Sequence, residues 1–256
     1  MTPFIQELRK QSYILFTLAR LKQKAKVRGT RLGYLWWFLE PAMLIALYSY
    51  LVTVIFERAG TDAIPSIAAG VTFWKWWQTS IGQATKSVSG NKGMVSQVNI
   101  KIALLPMSAV VSQTYLFIYG LLLLETGLMI YGYYPDPVLL VLALLLSFGF
   151  VSLVAVVLSV INVFVRDTAY LIGFIMRMLF FVSPILYDRN RVPPDYQWVV
   201  TYNPFAQLIK VVKQALLGTD GFSIPVIMVA IVLVYALLYA AIRKANAIRS
   251  KIVLQL

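Results

Sequence analysis

Hydrophobic residues run along this chain in six blocks, separated by short polar or charged segments. A helix that crosses the roughly 30 Å hydrocarbon core of a bilayer needs about 20 predominantly apolar residues. Five blocks plainly reach that length, and the sixth, 64–82, is weaker because Lys75 and several polar residues interrupt it. The predicted spans are 34–56, 64–82, 106–131, 138–165, 169–187 and 222–242. The pattern predicts an all-α polytopic membrane protein with six transmembrane helices.

Charge predicts the orientation of these spans. With an even number of spans both termini lie on one side, and the segments on that side hold 16 Lys and Arg against two acidic residues. These segments are 1–33, 83–105, 162–168 and 243–256. Because Lys and Arg accumulate in cytoplasmic loops, both termini are predicted to be cytoplasmic. The asymmetry absorbs most of the net charge of +13, so no nucleic-acid partner is expected.

Two cytoplasmic segments have amphipathic spacing. Residues 4–24 place apolar and basic side chains on opposite faces, which predicts a helix at the membrane interface, or else a basic tail that only sets topology. Residues 91–105 predict a short cytoplasmic helix with one apolar stripe, formed by Met94, Val98, Ile102 and Leu105. The stripe fits docking on a partner protein or on helices of this chain, and composition leaves both open.

The segment 188–221 is too polar to span and too patterned for a plain loop. Asn203-Pro204 divides it, and Phe205 to Leu217 forms an amphipathic stretch after the break. Proline forces extended backbone on the preceding residue and is tolerated at the first position of a new helix. We expect two short re-entrant outer helices between spans five and six, with helices lying flat on the membrane as the alternative.

The residue types exclude most catalytic chemistry. The chain has no cysteine and no histidine, which removes disulfides, thiolate catalysis, Ser-His-Asp triads and Cys or His metal sites. It has no G-x-x-x-x-G-K-[ST] loop for nucleotide hydrolysis. The carboxylates within the predicted spans, Glu40 and Glu125, fall at opposite leaflets and do not form a pair. No catalytic site, metal site or cofactor is expected in this chain.

Three ionisable residues stand out within the spans. Arg177 lies near the middle of span five, where an unpaired charge costs about 3 kcal/mol. It either fixes helix packing or contacts an anionic substrate. Lys75 can extend towards the head groups beside its tryptophan neighbours. Glu40 can pair with Arg28 or Arg31 at the interface.

Aromatic residues are dense in spans one and five. They include Trp36, Trp37 and Phe38 in span one, and Phe180, Phe181 and Tyr187 along span five. Interfacial anchoring or lipid contact explains many such rings. Alternatively, their flat apolar faces can hold sugar rings weakly enough for a polymer to slide.

Four short motifs occur in a defined order. R-L-G-Y-L-W-W-F-L-E-P at 31–41 leads into span one, and N-V-F-V-R-D at 162–167 follows span four. S-P-I-L-Y at 183–187 ends span five, and Y-N-P-F at 202–205 lies in the outer segment. Together they resemble the membrane subunit of ABC-type polysaccharide exporters, the permeases that export capsular polysaccharide or O-antigen. The 32–41 segment is more similar to capsule exporters.

The resemblance implies a single transmembrane permease domain over 1–256. Its parts are a cytoplasmic amphipathic segment at 1–33, spans one to five at 34–187, an outer re-entrant segment at 188–221, and span six with a cytoplasmic tail at 222–256. It implies a non-enzymatic subunit of an exporter that moves lipid-linked capsular polysaccharide across the bacterial inner membrane. A homodimer would form the channel and pair with two cytoplasmic ATPase subunits that bind ATP and Mg. Periplasmic and outer-membrane export proteins are further expected partners.

The resemblance also assigns residues to parts of the path. The entrance would be Arg31, Leu32 and Gly33, and the substrate channel would be lined by the six aromatic residues above. Arg177 matches no motif of the family and is added to the channel only because its charge should face protein or water. The apolar stripe of 91–105 would couple to the ATPase. The outer exit would be shaped by Tyr202, Asn203 and Pro204.

Three alternatives differ in cargo or class. An O-antigen exporter, or a drug or lipid exporter of the same permease superfamily, would share the topology. A stand-alone ion-coupled carrier or membrane enzyme would need its own ion site or catalytic cluster, and the sequence pattern indicates neither.

Overall fold

The computed structural model describes residues 3–27, 31, 33–55, 57, 63–98 and 100–255. Over these residues the chain is helical and contains no β-strand. The helices are α1 (Pro3–Val27), α2 (Trp36–Tyr50), α3 (Ala63–Thr85), α4 (Lys92–Gln97), α5 (Leu104–Ile130), α6 (Pro137–Phe164), α7 (Thr168–Val182), α8 (Gln197–Tyr202), α9 (Pro204–Leu217), α10 (Ile224–Ala247) and α11 (Arg249–Gln255). A π-helical turn, Leu51–Ile55, extends α2.

Six helices lie where spans were predicted: α2, α3, α5, α6, α7 and α10. In the described part of the chain, four helical stretches are long and apolar enough to cross a membrane, and they lie in α2, α5, α6 and α10. The helix α3 is less apolar, and α7 has 15 residues, or about 22 Å of helix. The all-α membrane architecture is confirmed, whereas the count of six spans stays a prediction.

The least apolar of the six, α3, is the central helix of the bundle, and α2, α5, α6 and α9 pack against it. Fifteen of its 23 residues are buried, including the fully enclosed Phe73 and Trp77. Phe73 contacts Phe117 of α5 and Trp77 contacts Phe205 of α9, with ring centroids 4.9 and 6.0 Å apart. Because protein surrounds α3 on most sides, it needs no continuous apolar surface towards lipid.

The helix α7 ends at Val182, partway through the bundle. Ser183 precedes a proline and is extended, with ψ of 146°. Span five, predicted over 169–187, is therefore helical only as far as Val182, and 183–187 continue without helix.

The helices α8 and α9 form the segment after this break. Phe205, in the first turn of α9, contacts Trp74 and Phe150, both near the middle of their helices. Near the other end of α9, the carbonyl oxygen of Ala215 accepts a hydrogen bond from the backbone N–H of Asp136 at 2.9 Å. The helix α9 thus runs from mid-height back to the end of the bundle where α6 begins, which we call the distal end. Re-entry of this segment into a bilayer, expected from the sequence, stays a prediction.

The opposite end, the terminal end, carries α1, α4 and α11. The fully buried Val95, Ile102 and Ile252 form a cluster there with the ends of α5 and α6. The prediction of one helix over 91–105 is wrong in extent, because α4 stops at Gln97 and Val98 is extended. The apolar residues beyond the break turn into this cluster instead of continuing a helical face.

The predicted amphipathic segment 4–24 corresponds to α1, which packs along α5. Ala19 is fully buried, and Lys22 Nζ donates to Ser108 Oγ at 2.9 Å and to the carbonyl oxygen of Leu105 at 3.3 Å. Part of the α1 surface is therefore docked on this chain.

Candidate functional site

An ion pair joins α2 to the central helix. Lys75 Nζ lies 2.7 Å from Glu40 Oε1, and both side chains are partly exposed. Pro41 follows Glu40 inside α2. The sequence suggested Arg28 or Arg31 as partner of Glu40 and the head groups as the destination of Lys75. The structure pairs the two with each other, and Arg28 lies outside the described residues.

A cavity of about 480 Å³ opens beside this pair, between α2, α3 and α5, and we call it the α2–α5 cavity. Its aromatic wall includes Trp36 and a stacked pair, Trp76 and Phe117, with centroids 4.2 Å apart. Its polar wall consists of Glu40, Thr72, Lys75, Thr79, Gln83 and Gln113. Flat rings beside hydrogen-bonding groups are the lining that suits a sugar, which has apolar faces and polar edges.

A second cavity, of about 300 Å³, lies on the other side of α2, between α2, α3 and α7. We call it the α2–α7 cavity. It is lined by Leu44, Tyr48, Val71, Trp74, Lys75, Gln78, Arg177, Phe180 and Phe181. Lys75 lines both cavities, so α2 and its ion pair separate them.

The predicted channel residues do not form one surface within this chain. Trp36 lines the α2–α5 cavity, whereas Arg177, Phe180 and Phe181 line the α2–α7 cavity. Phe38 is partly exposed and packs edge-on against Tyr119 of α5 at 5.4 Å. Nothing is described for the side chain of Trp37. The channel role of these residues stays a prediction.

The predicted entrance lies at the start of α2. Gly33 has φ of 51°, a conformation that glycine adopts without the penalty of a side chain, and it lines the edge of the α2–α5 cavity. Arg31 is exposed, and Leu32 lies outside the described residues.

A third cavity, of about 350 Å³, lies at the distal end and includes Tyr187, the remaining predicted channel residue. Lys213 Nζ donates to the carbonyl oxygen of Pro184 at 2.8 Å in its wall. Burial lowers the pKa of Lys213 to about 8, against a weaker opposing effect of the Asp188 carboxylate. Sequence reasoning missed Lys213, because nothing in the sequence places α9 beside the S-P-I-L-Y motif.

The predicted exit residues have separate environments. Asn203 is buried and its side chain holds both Ser183 and the first turn of α9. Tyr202 and Pro204 are exposed.

The predicted coupling stripe is split by the end of α4. Met94 is half-buried and Val98 is exposed, whereas Ile102 and Leu105 are almost completely buried inside this chain. Arg249 Nη2 holds the segment by donating to the carbonyl oxygens of Val95 and Val98 at 3.2 and 3.1 Å. A partner at this end can therefore reach Met94 and Val98 directly.

The polar wall of the α2–α5 cavity was also missed, although its signal is in the sequence. Thr72, Trp76, Thr79 and Gln83 recur at intervals of three or four residues and so share one face of α3, with Lys75 beside them. A polar face inside a predicted span indicates contact with protein or water.

Comparison with known proteins places most of this chain in one family. Residues 13–217 match the model of the ABC-2 type transporter family. The chain is 27% identical over 213 residues to the O-antigen export system permease protein RfbA of Myxococcus xanthus, with 82% of each chain covered. Two Klebsiella pneumoniae proteins of the same name are 22% and 21% identical over 203 residues, with 77% of each chain covered.

Proposed function

Since this chain belongs to the ABC-2 type transporter family, we propose that it is the transmembrane subunit of an ATP-driven exporter of lipid-linked polysaccharide. It is a multi-pass membrane protein, and we assign it to the bacterial inner membrane with both termini in the cytoplasm. Its similarity to O-antigen export permeases supports a glycan cargo.

The observation that carries the proposal is the pair of cavities on the two sides of α2. Their walls combine aromatic rings with hydroxyl, amide and charged groups at the level of the central helix. A lipid or drug cargo would favour an apolar lining, whereas sugar rings use both kinds of surface.

A homodimer channel is the arrangement that we favour for passage. Tyr48 of α2 and Phe180 of α7 are 5.1 Å apart, so these two helices present neighbouring faces. Those faces expose Leu47, Phe174, Phe181 and the charged Arg177. Because a charge within hydrocarbon is costly, a face that carries Arg177 is better covered by water or a second copy than by lipid.

Energy would come from a partner ATPase, with two copies serving the dimer and binding ATP and Mg. We propose that the partner contacts Met94 and Val98 at the terminal end, and that α1 provides a second cytoplasmic contact. Closure of the ATPase would then move the terminal ends of α3 and α5, between which this segment lies.

Capsular polysaccharide and O-antigen remain two candidate cargoes. The names of the relatives favour O-antigen, whereas the 32–41 segment favours capsule. Periplasmic and outer-membrane export proteins would complete a capsule pathway.

The proposal is tested in cells that carry this protein as their only glycan exporter permease. Trp36→Ala and Phe181→Ala should each lower surface polysaccharide at normal protein levels, because each removes an exposed ring from one of the two cavities. Phe164→Ala is the matched control, since Phe164 is also exposed but lines neither cavity. Unchanged polysaccharide in both cavity variants would favour a drug or lipid exporter. Transport by the purified protein in liposomes without an ATPase would instead indicate a stand-alone carrier.

A further inference from the structure

Arg177 occupies an unusual position for a charged residue. It lies nine residues into α7, about 14 Å from the start of that helix, and its side chain is exposed at the α2–α7 cavity. Within the described part of the chain it makes no ion pair or hydrogen bond. A guanidinium at this depth needs water or an anion beside it.

The charged side chains that line the α2–α7 cavity are both basic. Its lining contains Lys75 and Arg177 and, among the described residues, no acidic side chain. Glu40, the partner of Lys75, lines the neighbouring α2–α5 cavity instead. An anion in the α2–α7 cavity would therefore meet two cations and be separated from the nearest carboxylate by Lys75.

The remaining walls of the α2–α7 cavity include aromatic rings. Trp74 and Phe180 meet at a centroid distance of 5.8 Å, and Phe181 packs edge-on against Phe180 at 5.2 Å. Phe181 is the exposed ring of the three and offers flat apolar surface beside the two cations, whereas Trp74 and Phe180 are buried. A sugar that bears a charged group can stack on such a surface while its charge faces Arg177.

Building on the proposed function, we propose that the α2–α7 cavity binds an oxyanion carried by the exported glycan. Arg177 is the principal ligand, because its planar fork can donate two hydrogen bonds to a carboxylate or phosphate. Lys75 is the second ligand: its ammonium group leaves Glu40 and pairs with the anion instead. The oxyanion is either the carboxylate of an acidic sugar or the phosphate of a lipid anchor. The cavity thus selects anionic glycans over neutral ones.

Glu40 sets the strength of this site. While it is ionised it competes with the anion for Lys75 at 2.7 Å. Glu40→Gln should therefore strengthen anion binding, whereas Arg177→Gln should weaken it. Opposite effects from these two substitutions are difficult to attribute to general loss of folding.

The test is a binding titration on the full-length protein purified in detergent, with tryptophan fluorescence as readout because Trp74 lines the cavity. The probes are oligogalacturonate, which is acidic, maltohexaose, which is neutral, and inorganic pyrophosphate. Oligogalacturonate should bind more weakly as salt rises, and Arg177→Gln should weaken it about tenfold, as expected for a lost charge-assisted hydrogen bond. Arg177→Lys should restore part of that affinity.

The probes also distinguish the two sources of the anion. Tighter binding of oligogalacturonate than of pyrophosphate assigns the site to an acidic sugar, and the reverse assigns it to a phosphate anchor. Binding of maltohexaose as tight as that of both anionic probes, or no effect of Arg177→Gln on any probe, would overturn the inference. In those cases the export assay with Trp36→Ala and Phe181→Ala still decides whether glycan export itself stands.

Discussion

Asn203 Nδ2 donates a hydrogen bond to Ser183 Oγ at 2.9 Å, which ties the start of α9 to the end of α7. The two residues belong to the Y-N-P-F and S-P-I-L-Y motifs, 20 positions apart in the sequence. The Oδ1 atom of the same Asn203 side chain accepts from the backbone N–H of Phe205 at 3.0 Å and so caps α9. The buried side-chain amide of Asn203 therefore caps the start of α9 and also binds Ser183, the residue that follows the end of α7.

Replacing Asn203 by Ala should lower the free energy of unfolding by about 1–3 kcal/mol, because it removes an N-cap and leaves the buried Ser183 hydroxyl without its donor. Asn203→Ser keeps a capping oxygen and should cost less. Thermal unfolding of the purified variants in detergent measures the difference. Equal stability of the unmodified protein, Asn203→Ala and Asn203→Ser would show that this amide does not contribute to stability.

Gly70 and Gly82 on α3 should respond oppositely to alanine. A Cβ at Gly70 would lie 2.9 Å from Cγ2 of the fully buried Ile185, whereas a Cβ at Gly82 meets nothing within 4 Å. Gly70→Ala should destabilise the protein by about 1–3 kcal/mol through overpacking. Gly82→Ala should be neutral or stabilise by up to about 1 kcal/mol through helix propensity. Thermal unfolding of both variants checks this, and a stabilised Gly70→Ala would contradict the packing of 183–187 on α3.

The buried lysines should make stability depend on pH. Burial lowers the pKa of Lys22 to about 8 from the ordinary 10.5, and the pKa of Lys213 falls to a similar value. The folded protein therefore releases these protons at lower pH than the unfolded chain, so the free energy of unfolding should rise as pH increases from about 8 towards 10. Below that window both states are protonated and this contribution is constant.

Lys22→Met and Lys213→Met should each remove about half of that rise, and the double variant should remove nearly all of it. Unfolding temperatures from about pH 7.5 to pH 10 give the measurement. Lys10→Met, which changes an exposed lysine on α1, is the control. A fall in stability across this window in the unmodified protein would contradict burial of both groups.

Arg249 should keep the segment after α4 in place. Its guanidinium donates to the carbonyl oxygens of Val95 and Val98, one in the last turn of α4 and one just beyond it. Arg249→Ala should speed amide hydrogen exchange in residues 94–98, and Arg249→Lys should restore only part of the protection. Arg243→Ala is the control, because Arg243 lies near Tyr239 of α10 instead. Exchange that is unchanged in Arg249→Ala would show that α11 does not hold this segment.

Met94→Asp with Val98→Asp should weaken copurification with the ATPase subunit by about tenfold or more, because charge would replace the apolar surface that a partner can reach. Val165→Asp is matched to Val98→Asp, since Val165 is an exposed valine at the same end but outside the stripe. Ile102→Asp is unsuitable, because Ile102 is fully buried and its loss would unfold the cluster. Full export by the double variant would refute the coupling role.

The hydrophobic pattern predicted the long helices closely. The expected spans 106–131 and 138–165 correspond to the helices Leu104–Ile130 and Pro137–Phe164. The agreement is close because a long apolar run bounded by charges and prolines sets the position of a helix through neighbouring residues alone. The 91–105 segment shows the limit of such reasoning. Its stripe has helical spacing, but Ile102 is buried against α6 and α11, which are distant in sequence. Tertiary packing therefore overrode the local period.

The candidate site was predicted only in part. Arg177 and Trp36 were recognised because a charge or a ring in a span is conspicuous by itself. The Glu40–Lys75 pair was not predicted, since it depends on how α2 leans on α3. The partition of the predicted channel residues into separate cavities likewise follows from helix packing.

The non-helical segment 183–187 after α7 limits which parts of this bundle can move. Lipid would offer no hydrogen bonds to the peptide groups of 183–187 partway through the bundle, and α9 supplies one through Lys213. Moving α9 away would break the bonds of Lys213 to Pro184 and of Asn203 to Ser183, so we expect α9 and residues 183–187 to move together. Helix α2 is held less firmly, because only 11% of the residues in its most apolar stretch, Phe38–Ile55, are buried. We therefore expect α2 to be the helix that moves when a bulky polymer passes, and its ion pair with Lys75 to be the contact that such a movement breaks.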